Sequence, residues 1–131
     1  MKIKTQNDNK ALFSDKKYKI NGKIHKLDGI IYEQPSRTTI EIAKNSHIDD
    51  PYGIYMNHSF FPNCIIKNGF IVSICDINED EELTFNYNEN ETTMACPFID
   101  NVTKRHVSGN KNIHNGVPPA AQCVKHGEET C

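Results

Sequence analysis

Apolar positions along this chain fall in short alternating runs punctuated by turn-forming pairs, and they never hold a helical period for long. Asn68-Gly69 is the clearest punctuation. Residues 64–67 and 70–75 flank it, which predicts a hairpin closed by a turn with positive φ angles. Asn21-Gly22 sits in the same way between 16–20 and 23–27 and predicts a second hairpin. Asp28-Gly29 predicts a further turn leading into Ile30, Ile31 and Tyr32. Residues 37–42 and 83–87 alternate in the strand manner, the latter with Leu83, Phe85 and Tyr87 on one face. One short helix within 42–55 is the most that the pattern allows. The expectation is a mostly β domain of short strands in several small sheets.

The pattern fades after Phe98. Residues 101–131 are rich in Asn, Gly, Lys and His, contain Pro118-Pro119 and show no apolar periodicity. The chain therefore divides into an N-terminal segment at 1–10, a core domain at 11–100, a closing segment at 101–111 and a loosely ordered tail from 112 to 131. At 131 residues it fits one small domain with a real hydrophobic core.

A formal net charge of -2 gives no reason to expect direct nucleic-acid binding. Charge is nonetheless unevenly spread. Residues 1–26 carry Lys2, Lys4, Lys10, Lys16, Lys17, Lys19, Lys23 and Lys26, whereas 76–91 hold seven acidic side chains and no Lys or Arg. Two solvated faces would explain this, and so would an acidic rim that attracts a basic peptide. No apolar run reaches membrane-spanning length and the polar start is unlike a signal peptide, so the expected location is intracellular, cytoplasmic or nuclear, without membrane contact. Five cysteines without regular spacing do not make a disulfide framework.

Two segments stand out chemically. Asn57, His58 and Ser59, followed by Pro62, Asn63 and Cys64, form a dense cluster of hydrogen-bonding side chains. Alone, it would satisfy an irregular loop, and Tyr87 alone would be core or rim. Together, YMNHSFFPNC at 55–64 and EELTFNY at 81–87, separated by the hairpin segment, closely resemble the C-terminal half of SET-type protein lysine methyltransferases. ALFSDKKYKINGKIHKLDG at 11–29 is similar to that family's first strands, TTIEIAKNSHIDD at 38–50 falls where its variable insert lies, and MACPF at 94–98 resembles its small members.

The resemblance implies a SET-type fold of small curved sheets with a knot-like threaded C-terminal segment. It implies S-adenosyl-L-methionine as cofactor and methyl transfer to a lysine of a protein substrate, such as a histone-like or other basic protein. Asn57, His58, Lys10, Leu12 and Phe13 would contact the cofactor. Tyr87 would be the active-site tyrosine, and Tyr55, Phe98 and Val107 would line the substrate channel. A SET-like module that binds a basic peptide without chemistry is the alternative reading.

The sequence departs from the family at defined points. Asn7-Asp8-Asn9-Lys10 stands where many members have a glycine-rich turn, Asp80 where glycine is common, and Asn86 where aspartate is. Asn and Asp tolerate positive φ, so both turns are expected to survive. Phe60 follows the NHS triplet and there is no CxC, so the family's post-core zinc site is missing and no metal is expected at the site. Cys123, His126 and Cys131 offer three ligands at a spacing unlike common zinc motifs, and His106 and His114 read as surface residues. The channel wall must then come from 95–107 packing back, or from a partner.

Overall fold

The computed structural model describes residues 1–110; the tail from 112, His114 and the trio Cys123, His126 and Cys131 lie outside the described residues. Strand β1 (Lys2–Gln6) and strand β2 (Asn9–Phe13) form an antiparallel hairpin. Its turn is made without glycine: Asn7 and Asp8 adopt φ of 51° and 66°. The short polar side chains of Asn and Asp make this left-handed conformation affordable. The boundary drawn at residue 10 thus falls inside β2.

Strands β3 (Lys23–Lys26), β4 (Ile30–Tyr32), β5 (Ile40–Ala43) and β6 (Ser46–Asp49) follow, then a 3₁₀ turn (Gly53–Tyr55) and strand β7 (Asn57–His58). Next come β8 (Cys64–Lys67), β9 (Phe70–Ser73), β10 (Thr84–Phe85), a single helical turn α1 (Tyr87–Asn90), β11 (Phe98–Ile99) and β12 (His106–Val107). They make two three-stranded sheets, ordered β3-β9-β8 and β4-β6-β5, and three two-stranded ones. A mostly β chain in several small sheets is what the pattern predicts.

The hairpin at Asn68-Gly69 forms as expected, with φ of 53° and 80° at the turn. The second hairpin does not. Asn21 turns with φ of 66°, but β3 pairs antiparallel with β9, while Tyr18 bridges to Ile77. Ser73 decides this: its hydroxyl accepts the Gly22 N–H at 2.8 Å and its own N–H reaches the Gly22 carbonyl at 2.9 Å. The turn is thereby anchored on β9 and each flank finds a distant partner.

Two further expectations are corrected, and the limit of one short helix within 42–55 holds. The strand placed at 37–42 begins only at Ile40, because Ser36 and Thr39 bond one another across a turn. The strand placed at 83–87 stops at Phe85, because the Asn86 side chain accepts the Asn88 N–H at 2.9 Å and starts α1. Within 42–55 the only helix is the 3₁₀ turn, and 46–49 is strand. β4 enters beside β6 so tightly that a Cβ at Gly29 would lie 1.9 Å from the Asp49 carbonyl oxygen.

The core gathers Leu12, Leu27, Ile40, Ile48, Met56, Ile71, Leu83 and Phe85 from all these pieces, with Cys64 and Cys75 also buried. Beneath the 3₁₀ turn lies Asp50, 1% exposed. Its Oδ1 accepts the N–H groups of Tyr52 and Gly53 at 2.8 and 2.7 Å, and its Oδ2 accepts that of Asp28 and faces His25 Nε2, each at 2.9 Å. Burial alone would raise this carboxyl, but those hydrogen bonds hold it below the ordinary aspartate value. Among the described residues, no helix is long and apolar enough to cross a membrane.

Candidate active site

The two chemically dense segments meet because β7 pairs with β10 in parallel, Asn57 opposite Thr84 and His58 opposite Phe85. Asn63 fixes that register. Its Oδ1 accepts the Thr84 N–H at 3.0 Å, and its Nδ2 donates to the Glu82 carbonyl at 2.7 Å and the Glu81 carboxylate at 3.1 Å. Ser59 continues the ladder by donating its N–H to the Phe85 carbonyl, while its hydroxyl accepts the Phe61 N–H at 2.9 Å. The polar cluster is therefore structural glue as well as a motif.

Tyr87 is held at both ends. Its N–H donates to His58 Nδ1 at 3.0 Å, and its hydroxyl donates to the Met56 carbonyl at 2.6 Å. His58 is fully buried, in edge contact with the rings of Phe60, Tyr87 and Phe98. Burial pulls its pKa down to about 4, against a smaller upward pull from Asp100. The ring is neutral at pH 7, and because Nδ1 accepts, the proton sits on Nε2.

One side of Tyr87 lines a cavity of about 290 Å³. Its other walls are Met56 and Phe85, residues 35–40 ahead of and entering β5, and Met94, Ala95, Cys96 and Phe98. The post-core segment does pack back. Asn88 clamps it, accepting the N–H groups of Ser108 and Gly109 at 3.0 and 2.9 Å and donating to the His106 carbonyl at 2.9 Å. At Gly109 (φ 96°) a Cβ would fall 2.6 Å from the Glu91 carbonyl oxygen, so closure there needs glycine. Phe98 is in the cavity wall, and Val107, wholly buried, backs it as its strand partner.

Tyr55 lies apart from that wall. The Lys10 ammonium is 5.5 Å from its ring centroid. Phe13 bridges to Glu82, and Glu82 accepts the Asn57 amide at 3.0 Å. Leu12 is in the core, its carbonyl accepting the Leu83 N–H at 2.8 Å. Lys10 and Tyr55 thus make one pair and Phe13, Glu82 and Asn57 another, while Tyr87 and Phe98 face the cavity. Met56, between Tyr55 and Asn57 in the chain, lines that cavity.

The acidic stretch is largely engaged within the fold. Asp80, turned at φ 65°, pairs with Lys2 and, at 3.1 Å, with Lys4. Asp76, Glu81, Glu82 and Glu91 accept hydrogen bonds from Ile20, Asn63, Asn57 and Glu41. At Asp80 the acidic stretch meets the N-terminal lysines directly. Residues that sequence reasoning missed include Asn88 and the buried Glu41, His47 and Glu91, none of which belongs to a local motif.

A family model described as SET domain matches residues 3–88. No curated protein matches the chain.

Proposed function

The chain belongs to the SET-domain family, and from that premise we propose that it is an S-adenosyl-L-methionine-dependent methyltransferase that modifies a lysine side chain of a protein. The observation that carries this reading is the position of Tyr87, tied to His58 and Met56 at the edge of the 290 Å³ cavity.

The donor set beside Met56 fits the cofactor. Its α-carboxylate would find the Lys10 ammonium, its ammonium group the Glu82 carboxylate, and its adenosine the Asn57 amide and the Tyr55 ring. When bound, it supplies a methyl group already activated on a sulfonium. His58 and Leu12 would support this face through their backbone.

The cavity would take the substrate lysine. A free lysine has a pKa of about 10.4, so presenting it as the neutral amine near pH 7 costs roughly 4–5 kcal/mol. The apolar walls of Met56, Phe85, Met94 and Phe98 disfavour the ammonium and lower that cost, against the Glu91 side chain in the same lining. The Tyr87 hydroxyl, whose hydrogen is engaged in its bond to the Met56 carbonyl, offers oxygen lone pairs that accept an amine N–H and so orient the nitrogen lone pair. Tyr87 is in this reading an orienting acceptor rather than a base.

The test is direct. The full chain is titrated with S-adenosylmethionine in a calorimeter, then incubated with the cofactor and a mixture of basic proteins, and lysine methylation is read by mass spectrometry. Cofactor binding with transfer supports the reading. No heat at millimolar cofactor, with salt-sensitive binding of a basic peptide, would assign the chain to peptide binding instead.

A further inference from the structure

Three interior side chains that methyl transfer does not use meet behind the cavity. Glu41 on β5 stands opposite His47 on β6 in the hairpin register, which puts both side chains on one face. Glu91, which follows α1 and lines the cavity, comes in from the other side. Their exposures are 3%, 5% and 5%. One ligand atom from each lies within 4.8 Å of the other two.

The surroundings are those of a held ligand set. The Glu41 carboxylate accepts the Thr92 N–H at 2.8 Å and the Thr92 hydroxyl at 2.6 Å. Glu91 accepts the Glu41 N–H at 3.0 Å and the Asn90 amide at 2.5 Å. Such outer contacts fix carboxylate ligands in orientation. The independent sign is His47: its Nδ1 is buried and has no hydrogen-bond partner. Buried ring nitrogens almost always have one, and an imidazole grouped with two carboxylates within 4.8 Å makes a ligand set for a transition metal.

We infer that Glu41, His47 and Glu91 bind one divalent transition-metal ion of the zinc type. One nitrogen and two carboxylate ligands exclude the all-oxygen preference of calcium and magnesium and suit zinc, with water completing four-coordination. Zinc at about 2.1 Å from each ligand would set the ligand atoms about 3.4 Å apart, a closure within reach of side-chain torsions from 4.8 Å. The ion would tie the β5–β6 hairpin to the segment after α1. That segment carries one wall of the cavity, so the ion would brace that wall.

The experiment uses the full chain and no methyl donor, so its outcome is separate from that of the proposed activity. Chelator-stripped protein is dialysed against micromolar zinc sulfate, bound metal is measured by mass spectrometry, and thermal unfolding is followed with and without zinc. One zinc per chain is expected in the wild type and in the Cys123→Ser/Cys131→Ser double variant, with the midpoint raised by about 5 °C or more. Glu91→Gln and His47→Asn should each lose the metal and the shift. Zinc retained by those variants, lost with the cysteine pair, or not bound by the folded wild type overturns the assignment. Should the variants unfold, cobalt on the wild type decides: binding without thiolate charge-transfer absorption supports the site, and a thiolate band refutes it.

Discussion

Replacing Asp50 tests how the 3₁₀ turn supports Tyr87. In Asp50→Ala, the N–H groups of Asp28, Tyr52 and Gly53 lose their acceptor, and His25 loses its partner. Gly53 is buried, so its orphaned N–H bears the full desolvation cost, about 1–3 kcal/mol. Asp28 and Tyr52 are exposed and water replaces the carboxylate, leaving about 0.5–1 kcal/mol each. The total is about 2–5 kcal/mol. Asp50→Asn keeps an oxygen for Tyr52 and Gly53 and loses only the Oδ2 contacts, so it should cost about 1–2 kcal/mol. Urea denaturation reads both, the alanine variant lowering the midpoint by about 2 M. The sign with pH also follows. Because the folded carboxyl lies below its ordinary 3.8, its stabilisation is present above that pH and lost as pH falls through the lower folded value. The gap between wild type and Asp50→Asn must therefore narrow below about pH 4. A cost under about 1 kcal/mol for Asp50→Ala, or equal costs for the two variants, would refute this account of the turn.

Other outcomes follow from the same geometry. Tyr87→Phe should lower methyl transfer on the order of 10²-fold with cofactor affinity little changed, which single-turnover kinetics and calorimetry separate; an unchanged rate removes Tyr87 from the chemistry. Asn57→Ala should weaken S-adenosylmethionine binding about tenfold, the scale of one lost polar contact, and calorimetry showing no change would dismiss Asn57 from that face. His58, neutral with a pKa near 4 in the fold and 6.5 unfolded, should stay untitrated by NMR down to about pH 5. The unfolded state then binds the extra proton, so stability falls as pH drops from about 6.5 towards 4, and a measured pKa above 6 would contradict its burial. Gly109→Ala should loosen the closing segment and raise proteolytic sensitivity at 94–110 before it affects global unfolding.

What the sequence reveals here depends on distance along the chain. Asn68-Gly69 is read correctly because turn and partner strands are adjacent, and Asn7-Asp8 replaces glycine without loss of the hairpin. Asn21 is read correctly as a turn yet wrongly as a hairpin, because Ser73, about fifty residues away, supplies the bonds that decide its flanks. Alternation at 83–87 identifies Leu83 and Phe85 as core but runs two residues too far, since a capping bond from Asn86 outweighs strand preference at Tyr87. Asn57, His58 and Tyr87 come together through a parallel pairing that local pattern does not encode; the family resemblance, not periodicity, placed them. Glu41, His47 and Glu91 stay hidden because neither the hairpin register nor the return of residue 91 is visible locally.

These long-range bonds also explain why so small a chain needs so many polar contacts. Among the described residues, twelve short strands in five sheets give no single sheet enough area to fix its neighbours. Register between sheets is set instead by side chains with several bonds each: Asn63 for β7 against β10, Asp50 for the 3₁₀ turn, Asn88 for the closing segment. The Met56 carbonyl is where two of these constraints converge. Asp50 fixes the turn just before it, and the Tyr87 hydroxyl bonds to it from the start of α1, which follows the strand that Asn63 positions. Tyr87 is therefore aligned by groups that never touch a substrate. A conservative change at Asp50 or Asn63 should misplace its hydroxyl and lower turnover more than cofactor affinity, a split that loss of a direct binding contact would not produce.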